Sequence, residues 1–512
     1  MKKMWGIVFS FFIALFCVIL DDNRVDASEG DAKVMEVIWN NQTLGSYSTF
    51  SDALDAFNSV EGATIKVISD YDFTSDGLLF EFSSSGVLDL NGHILTNNHQ
   101  NEDLLKLMIL ENSSLKIIDS ADVIRETRYR YNPEALHLLS RDENGDVVVS
   151  GGIIDASGAY SVSDVLPVFW VYGSLELVSG NLVGISVTVY DGENYPNIKE
   201  GDNGSFVMRG GSILGGGNQY ESVAVSMARD SLVSIYGGSI MYHNWKAIGV
   251  SGKLNIYGGT FKYNQTIAQT YSYEGDVINI YGGLFENNGI CFTFEIGNTW
   301  NLYGGTFRNN NIGIVSMMDV FVSGNLIFEN NVFEYNGATL YPDIALVQDA
   351  SVGLNAKIVV DGKLGEDTLI RVGIVTSDMS IVLGEAIVNY NNFNTDNFKD
   401  HFASAVSGLD VGSDGASIYM VMANKAINYE LNGGEFVQQC LVLHEYPLGY
   451  GARLPISSCV VKKGYSFLGW TSTNDAEDVT YISNVPTGAT EDVTVYAKWE
   501  IRAPSTACGA GA

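Results

Sequence analysis

The chain has 512 residues, 46% of them hydrophobic, with 55 glycines against 8 prolines. It is long enough for more than one domain and a large core, and its glycines point to many tight backbone bends rather than collagen-like or proline-rich structure. With 60 acidic and 28 basic residues and a formal charge of -32, its surface repels nucleic acid and anionic membrane, which sets nucleic acid aside as a partner.

The N-terminus reads as a secretory signal over residues 1–27. Lys2 and Lys3 precede an apolar run from Trp5 to Leu20, and "VDA" at 25–27 places small residues before a cleavage point. An uncleaved anchor helix is the alternative reading. No second apolar run of membrane-spanning length follows, so no transmembrane anchor is expected once the signal is removed. Cys17 lies inside the run after Phe16, a poor fit to a lipoprotein signal. The other four cysteines, Cys291, Cys440, Cys459 and Cys508, lack metal-ligand spacing. In a secreted chain Cys440 and Cys459 are candidates to pair, which the sequence alone leaves open.

The segment "STFSDALDAFNSVEGATIKVISD" (48–70) predicts a short amphipathic helix with a serine N-cap candidate, then a strand. "VLDLNGHILTNN" (87–98) and "LKIIDS" (115–120) follow with period-2 alternation. Internal repetition then dominates. Units align on Gly151, Gly210, Gly237, Gly258, Gly282, Gly304 and Gly324, with a weaker unit, "LELVSGNL", at 175–182. In "LNIYGGTFKYN" (254–264), Leu254 and Ile256 point inward and Asn255 and Tyr257 the other way. Gly258 and Gly259 allow a bend or bulge, Phe261 is interior, and Asn264 follows. Short strands broken by corners, about two dozen residues per turn, describe a parallel β-helix whose coils stack at about 4.8 Å. Asn264, Asn288, Asn310 and Asn330 are then expected to form an amide ladder. A leucine-rich horseshoe is the competing solenoid, but its Leu/Asn spacing is absent. "SVGLNAKIVVDG" (351–362) and "MSIVLGEAIV" (379–388) read as later coils, and the helix as the cap of the open N-terminal end.

The order of these words resembles the right-handed β-helix domain of large bacterial surface proteins, over about residues 34–423. "DNFKDHFASAV…ASIYMV" (396–421) is similar to the end of such domains. Composition changes near Asn424. "INYELNGGEF" (427–436), "KKGYSFLGW" (462–470) and "DVTVYAKW" (492–499) resemble, in order, the Listeria–Bacteroides repeat, also called the internalin B-repeat, a small β-grasp-like module. The residues themselves read as about four short strands with Gly-Gly and Lys-Gly turns. Tyr465, Phe467, Trp470, Tyr496 and Trp499 are the candidate core or edge aromatics. The stretch 440–460 departs from the family's spacing by carrying two cysteines. The resemblance implies spacing, display or adhesion rather than chemistry. The tail, 501–512, has no sorting motif and reads as flexible.

Polysaccharide lyases and glycoside hydrolases also use β-helices. A lyase needs clustered Asp for Ca²⁺ and an Arg or Lys base. Arg209 is the candidate base, in the column of Tyr236, Tyr257, Tyr281 and Tyr303, but its flanking equivalents Val178 and Tyr236 are not carboxylates. A hydrolase needs paired carboxylates. Asp142, Glu143, Asp146, Asp191 and Glu193 lie in insertions, and no pair stands out. "DYDFTSDG" (70–77) and "DENGD" (142–146) lack the spacing of a twelve-residue calcium loop. His93, His99, His137, His243, His401 and His444 share no zinc spacing. No cofactor or metal is expected. Asn41, Asn203 and Asn264 fit the glycosylation sequon.

The fold expected is all-β: a right-handed parallel β-helix over 34–423 with an N-terminal helical cap, then a β-grasp-like repeat domain over 427–500. The expected function is non-enzymatic: a secreted or cell-surface protein that contacts a glycan or a host or cell-surface protein, with the β-helix as stalk. The tyrosine strip Tyr236, Tyr257, Tyr281 and Tyr303 is the candidate ligand-facing surface. The alternatives are a carbohydrate-active enzyme and a spacer without a ligand, in which the tyrosines only stack to stabilise the sheet.

Overall fold

The apolar–polar alternation of words such as "LNIY" gives strands of three to five residues, and each strand finds its hydrogen-bond partner in the equivalent word one coil away. The computed structural model describes residues 32–502 except 99–104, 131–145, 158–167, 191–202, 216–222, 271–274, 336–337, 350–352, 376–382, 391–397, 407, 414–416, 449–450 and 475–479. Residues 1–31, which include the expected signal, and residues 503–512 of the expected tail lie outside the described residues. The chain divides into two compact units, Met1–Ile381 with Ile387–Ala405, and Val382–Ala386 with Val406–Ala512.

The first unit is a solenoid of parallel strands arranged in three ladders. One ladder runs through Ser231–Ile235, Gly252–Ile256 and Val277–Ile280. A second runs through Ser239–Met241, Thr260–Lys262 and Leu284–Glu286. From Thr299–Arg308 onward these two merge into single bent strands. The third ladder extends from Leu79–Phe82 to Phe402–Ser404, twelve described strands in parallel. In-register pairing stacks like on like. Leu254, Ile256 and Phe261 are fully buried, and the rings of Phe261, Phe285, Phe307 and Phe328 stack at 5.1, 4.6 and 4.9 Å. Each buried phenylalanine contributes about 2–3 kcal/mol.

The N-terminal end is closed by helix Phe50–Asn58, whose Phe50, Leu54 and Phe57 are buried. Phe50 meets Phe73, Phe80 and Phe82 edge-on. The helix is capped by Thr49 rather than a serine: the Asp52 amide donates to its Oγ1 at 3.2 Å. A hairpin that the apolar pattern does not announce, Met35–Trp39 with Gln42–Tyr47, adds its first strand antiparallel to Ala63–Val67. Its signal was present: Asn40 and Asn41 both take left-handed φ, 48° and 61°, as a two-residue hairpin turn needs.

The two glycines of each Tyr-Gly-Gly word have different reasons. A Cβ on Gly258 would lie 2.7 Å from the Tyr236 carbonyl oxygen one coil earlier, whereas Gly259 has φ of 97°. The first glycine makes room for the preceding coil, and the second turns the chain.

The amide ladder is present, with one correction: its fourth member is Asn331, not Asn330. The pairing of Leu302 with Val322 but of Gly304 with Asn325 shows an extra residue in the later coil. This bulge moves every following residue by one. The double Asn then has two roles. Asn287, Asn309 and Asn330 occupy the left-handed corner, as do Tyr242 and Tyr263 in earlier coils, and the following residue enters the interior. There Asn288 Oδ1 accepts from Asn264 N and Nδ2 at 3.0 and 3.2 Å. Asn288 Nδ2 donates to Phe261 O and Asn310 Oδ1, both at 3.0 Å. The ladder continues through Asn331 to Asp343, fully buried and clamped by Arg371. At its other end His243 replaces asparagine, and complete burial pushes its imidazole down to about 3. A second ladder, Asn255–Asn279–Asn301, is linked amide to amide at 2.9 and 2.8 Å.

Two predictions follow from the ladder. Asn310→Gly should cost about 3 kcal/mol or more, because it orphans buried backbone groups, whereas Asn309→Gly, at a left-handed corner, should be nearly neutral; urea midpoints compare them. His243→Asn should flatten the pH dependence of stability. The folded pKa of His243 is depressed, so its contribution is full above the unfolded value and is lost as pH falls from about 6.5 toward about 3. Unfolding of both chains between pH 4 and 7.5 measures the difference.

Candidate functional site

Tyr236, Tyr257, Tyr281 and Tyr303 each follow the last residue of a first-ladder β-pairing and precede the bend glycines. The Tyr257 amide donates to Ile235 O and that of Tyr281 to Ile256 O, both at 2.7 Å, so the ladder continues through them. Their side chains form one column. Centroids are 4.6, 4.8 and 5.2 Å apart and ring planes differ by 6°, 4° and 24°. Tyr236, Tyr257 and Tyr281 are 46%, 41% and 44% exposed, and Tyr303 is half-buried. Desolvation, with the neighbouring phenols Tyr236 and Tyr281, raises the Tyr257 hydroxyl above its ordinary value. For Tyr303 desolvation, Tyr281 and Asp361 do the same.

This geometry bears directly on sugar stacking. A pyranose stacks on an aromatic face, and the faces of Tyr257 and Tyr281 are covered by their neighbours. The outer face of Tyr236 is covered by Arg209, its guanidinium 5.0 Å from the ring centroid. What the column offers a partner is a row of ring edges and hydroxyls.

Arg209 also has a carboxylate partner that one-coil equivalence overlooked. Its Nε donates to Glu176 Oε1, and Lys116 Nζ lies 3.0 Å from Glu176 Oε2. Glu176 is two residues before Val178, within diagonal reach of a long side chain. The second ladder repeats the device: Glu286 lies between Lys262 and Arg308, each 2.5 Å away. Burial pushes both carboxyls up, but the flanking cations outweigh it and hold them below the usual carboxylate range.

The other singled-out residues have local roles. In "DYDFTSDG", Asp72 Oδ1 accepts from Thr74 N at 2.9 Å, and Asp76 Oδ2 accepts from Ser51 N and Tyr71 Oη at 2.9 and 2.7 Å. His93 faces Asp70 at 3.3 Å, His401 Nδ1 lies 2.8 Å from Thr368 O, and His444 packs against Tyr429. Asp142, Glu143, Asp191, Glu193, His99, His137, Cys17 and Cys508 lie outside the described residues, as does the Asp146 side chain. Among the described residues no cluster of three metal-ligating side chains occurs, and no helix is long and apolar enough to cross a membrane. Asn264 of the third sequon is fully buried in the amide ladder. Cys291 is buried, which raises its thiol pKa well above the ordinary value.

In the second unit a mixed four-stranded sheet has the order Glu445–Pro447, Asn424–Glu430, Val493–Ile501, Tyr465–Thr471, its central pair parallel. Trp470 is 2% exposed and donates through Nε1 to Pro455 O at 2.7 Å. Tyr429, Phe436, Phe467 and Trp499 pack around it, and Trp499 Nε1 donates to Leu431 O at 2.9 Å. Gly434 has no room for a side chain, since a Cβ there would lie 2.4 Å from Trp499. Cys440 and Cys459 are disulfide-bonded, with Cα atoms 5.5 Å apart. The bond sits beside a two-stranded ribbon, Glu435–Phe436 with Val460–Val461.

With this packing in place, residues 426–498 match the Listeria–Bacteroides repeat domain, a family generally found in bacterial surface proteins. No curated protein and no solved structure matches the chain.

The disulfide closes a loop of 19 residues, for which chain entropy predicts about 3 kcal/mol of stabilisation. Reduction, or Cys440→Ala with Cys459→Ala, should lower the urea midpoint of the second unit, read by Trp470 and Trp499 fluorescence, while buried Cys291 resists alkylation until the solenoid unfolds.

Proposed function

We propose that the chain is a non-enzymatic protein of the bacterial cell surface or exterior, with the solenoid as a stalk and the tyrosine column as its contact edge. The single observation that carries the contact reading is the row of three exposed phenol edges, stacked at the spacing that the strands beneath impose. The repeat family of residues 426–498 supports surface display. The Cys440–Cys459 bond fits an oxidising compartment, as does the signal read at residues 1–27. The partner class is a glycan or a host or cell-surface protein, met through hydroxyls and ring edges.

Glu176 and Glu286 are held ionised between cation pairs, so neither suits the role of a glycosidic acid, which needs a raised pKa. A spacer without a ligand is the second reading, favoured by the closed ring faces, since a self-stacked column stabilises the coils without any partner.

Tyr257→Phe with Tyr281→Phe separates these readings, because phenylalanine preserves the stack and removes the hydroxyls. On glycan arrays and whole cells the contact reading expects binding that the double variant weakens about tenfold or more, at roughly 1 kcal/mol per hydrogen bond. Absence of binding by the folded parent chain leaves the spacer. Cleavage of any member of a polysaccharide panel overturns the non-enzymatic reading.

A further inference from the structure

The tyrosine column has a property independent of any ligand. Its phenols are at once stacked, parallel and open to solvent. Tyr236, Tyr257 and Tyr281 are 41–46% exposed, with successive planes within 6°. Tyr341 and Tyr481 are as exposed, 44% and 48%, but have no ring contact among the described residues. The chain therefore carries its own comparison between exposure alone and exposure with stacking.

We propose that the column is a site of oxidative cross-linking, at which a haem peroxidase acting with hydrogen peroxide joins tyrosines of consecutive coils. Each of two phenols loses one electron and its hydroxyl proton. The two phenoxyl radicals combine ortho carbon to ortho carbon in a new carbon–carbon bond. The proton on each joined carbon moves to the ring oxygen, restoring both phenols. The peroxide takes up the two electrons and two protons and leaves as two waters.

Three features favour this reaction here. A ring that has lost an electron shares the positive charge with a parallel ring beside it, so oxidation is easier in a stack than at an isolated phenol. The second radical forms within reach of the first, which replaces a bimolecular encounter with an intramolecular one. Exposed side chains rotate in picoseconds to nanoseconds, so the rings can turn from face-to-face to edge-to-edge within a radical's lifetime.

The column is not uniform, and this selects the pair. The Arg209 guanidinium over Tyr236 disfavours positive charge on that ring. Tyr303 is half-buried and tilted 24° from Tyr281. Tyr257 and Tyr281, at 4.8 Å and 4°, are the pair left. Their bond would staple two coils across 24 residues of chain, as a disulfide would.

The test oxidises dilute parent chain with a haem peroxidase and limiting hydrogen peroxide, then maps cross-linked peptides by mass spectrometry. The expected result is a linked peptide joining residues 257 and 281, at least ~10-fold more abundant than links involving Tyr341 or Tyr481. That product should vanish in Tyr281→Phe, whose unchanged circular dichroism would show the coils intact, and its selectivity should vanish in urea. Links distributed by exposure alone, or the same distribution in the unfolded chain, overturn the proposal.

Discussion

Register between coils is the constraint on which the rest depends. Parallel strands one hydrogen bond apart place residue i of one coil directly over its equivalent in the next, about 4.8 Å away. Whatever type occupies a column must therefore tolerate itself as a neighbour. Aliphatics and phenylalanine do so by packing, and asparagine by offering donor and acceptor at once. Tyrosine does so by stacking. A charged column cannot, which is why Glu176 and Glu286 alternate with cations in adjacent coils rather than with like charge. The Tyr-Gly-Gly word follows from the same constraint: the carbonyl of one tyrosine occupies the space where the first glycine of the next coil would carry a side chain.

The same interaction governs what the outer face can do. A column that satisfies itself keeps its ring faces largely closed. Stacking removes the ring faces of Tyr257 and Tyr281 from use and leaves edges and hydroxyls. The outward carboxylates Glu176 and Glu286 are each neutralised by two cations, and the buried carboxylate at the end of the amide ladder, Asp343, is held by Arg371. Such a surface fits the stalk proposed above, in which contact is confined to a narrow strip. The second unit is organised otherwise. Among its described residues the core is a set of edge-on aromatic contacts around Trp470 rather than columns, with the indole N–H groups of Trp470 and Trp499 satisfied.

Much of this was legible from period and punctuation. The alternation in "LNIY", the paired glycines and the recurring asparagine are enough to stack coils, to assign Leu254, Ile256 and Phe261 to the interior and to place Asn264 on an amide ladder. The choice of Asn330 over Asn331 failed because a one-residue bulge leaves no mark in an alignment anchored on Gly324. The "NN" dipeptide held the answer, since only the first position tolerates a left-handed φ and only the second is buried. Glu176 escaped notice for a related reason: equivalence was counted straight across the coils, and Arg209 reaches diagonally. The Met35–Tyr47 hairpin has its own sequence signal in the Asn-Asn turn.

By itself the sequence determined which residue types must stack, because a repeat of about two dozen residues with glycine corners admits few other folds, and it determined the C-terminal module through three ordered words. Tertiary structure alone decided which faces of those residues remain free. Exposure of a tyrosine edge, closure of its face, pairing of Cys440 with Cys459 and clamping of Glu176 all depend on distances between coils or between segments distant in sequence. Periodicity specifies the order of contacts along the chain, and only packing specifies what each side chain has left to offer solvent.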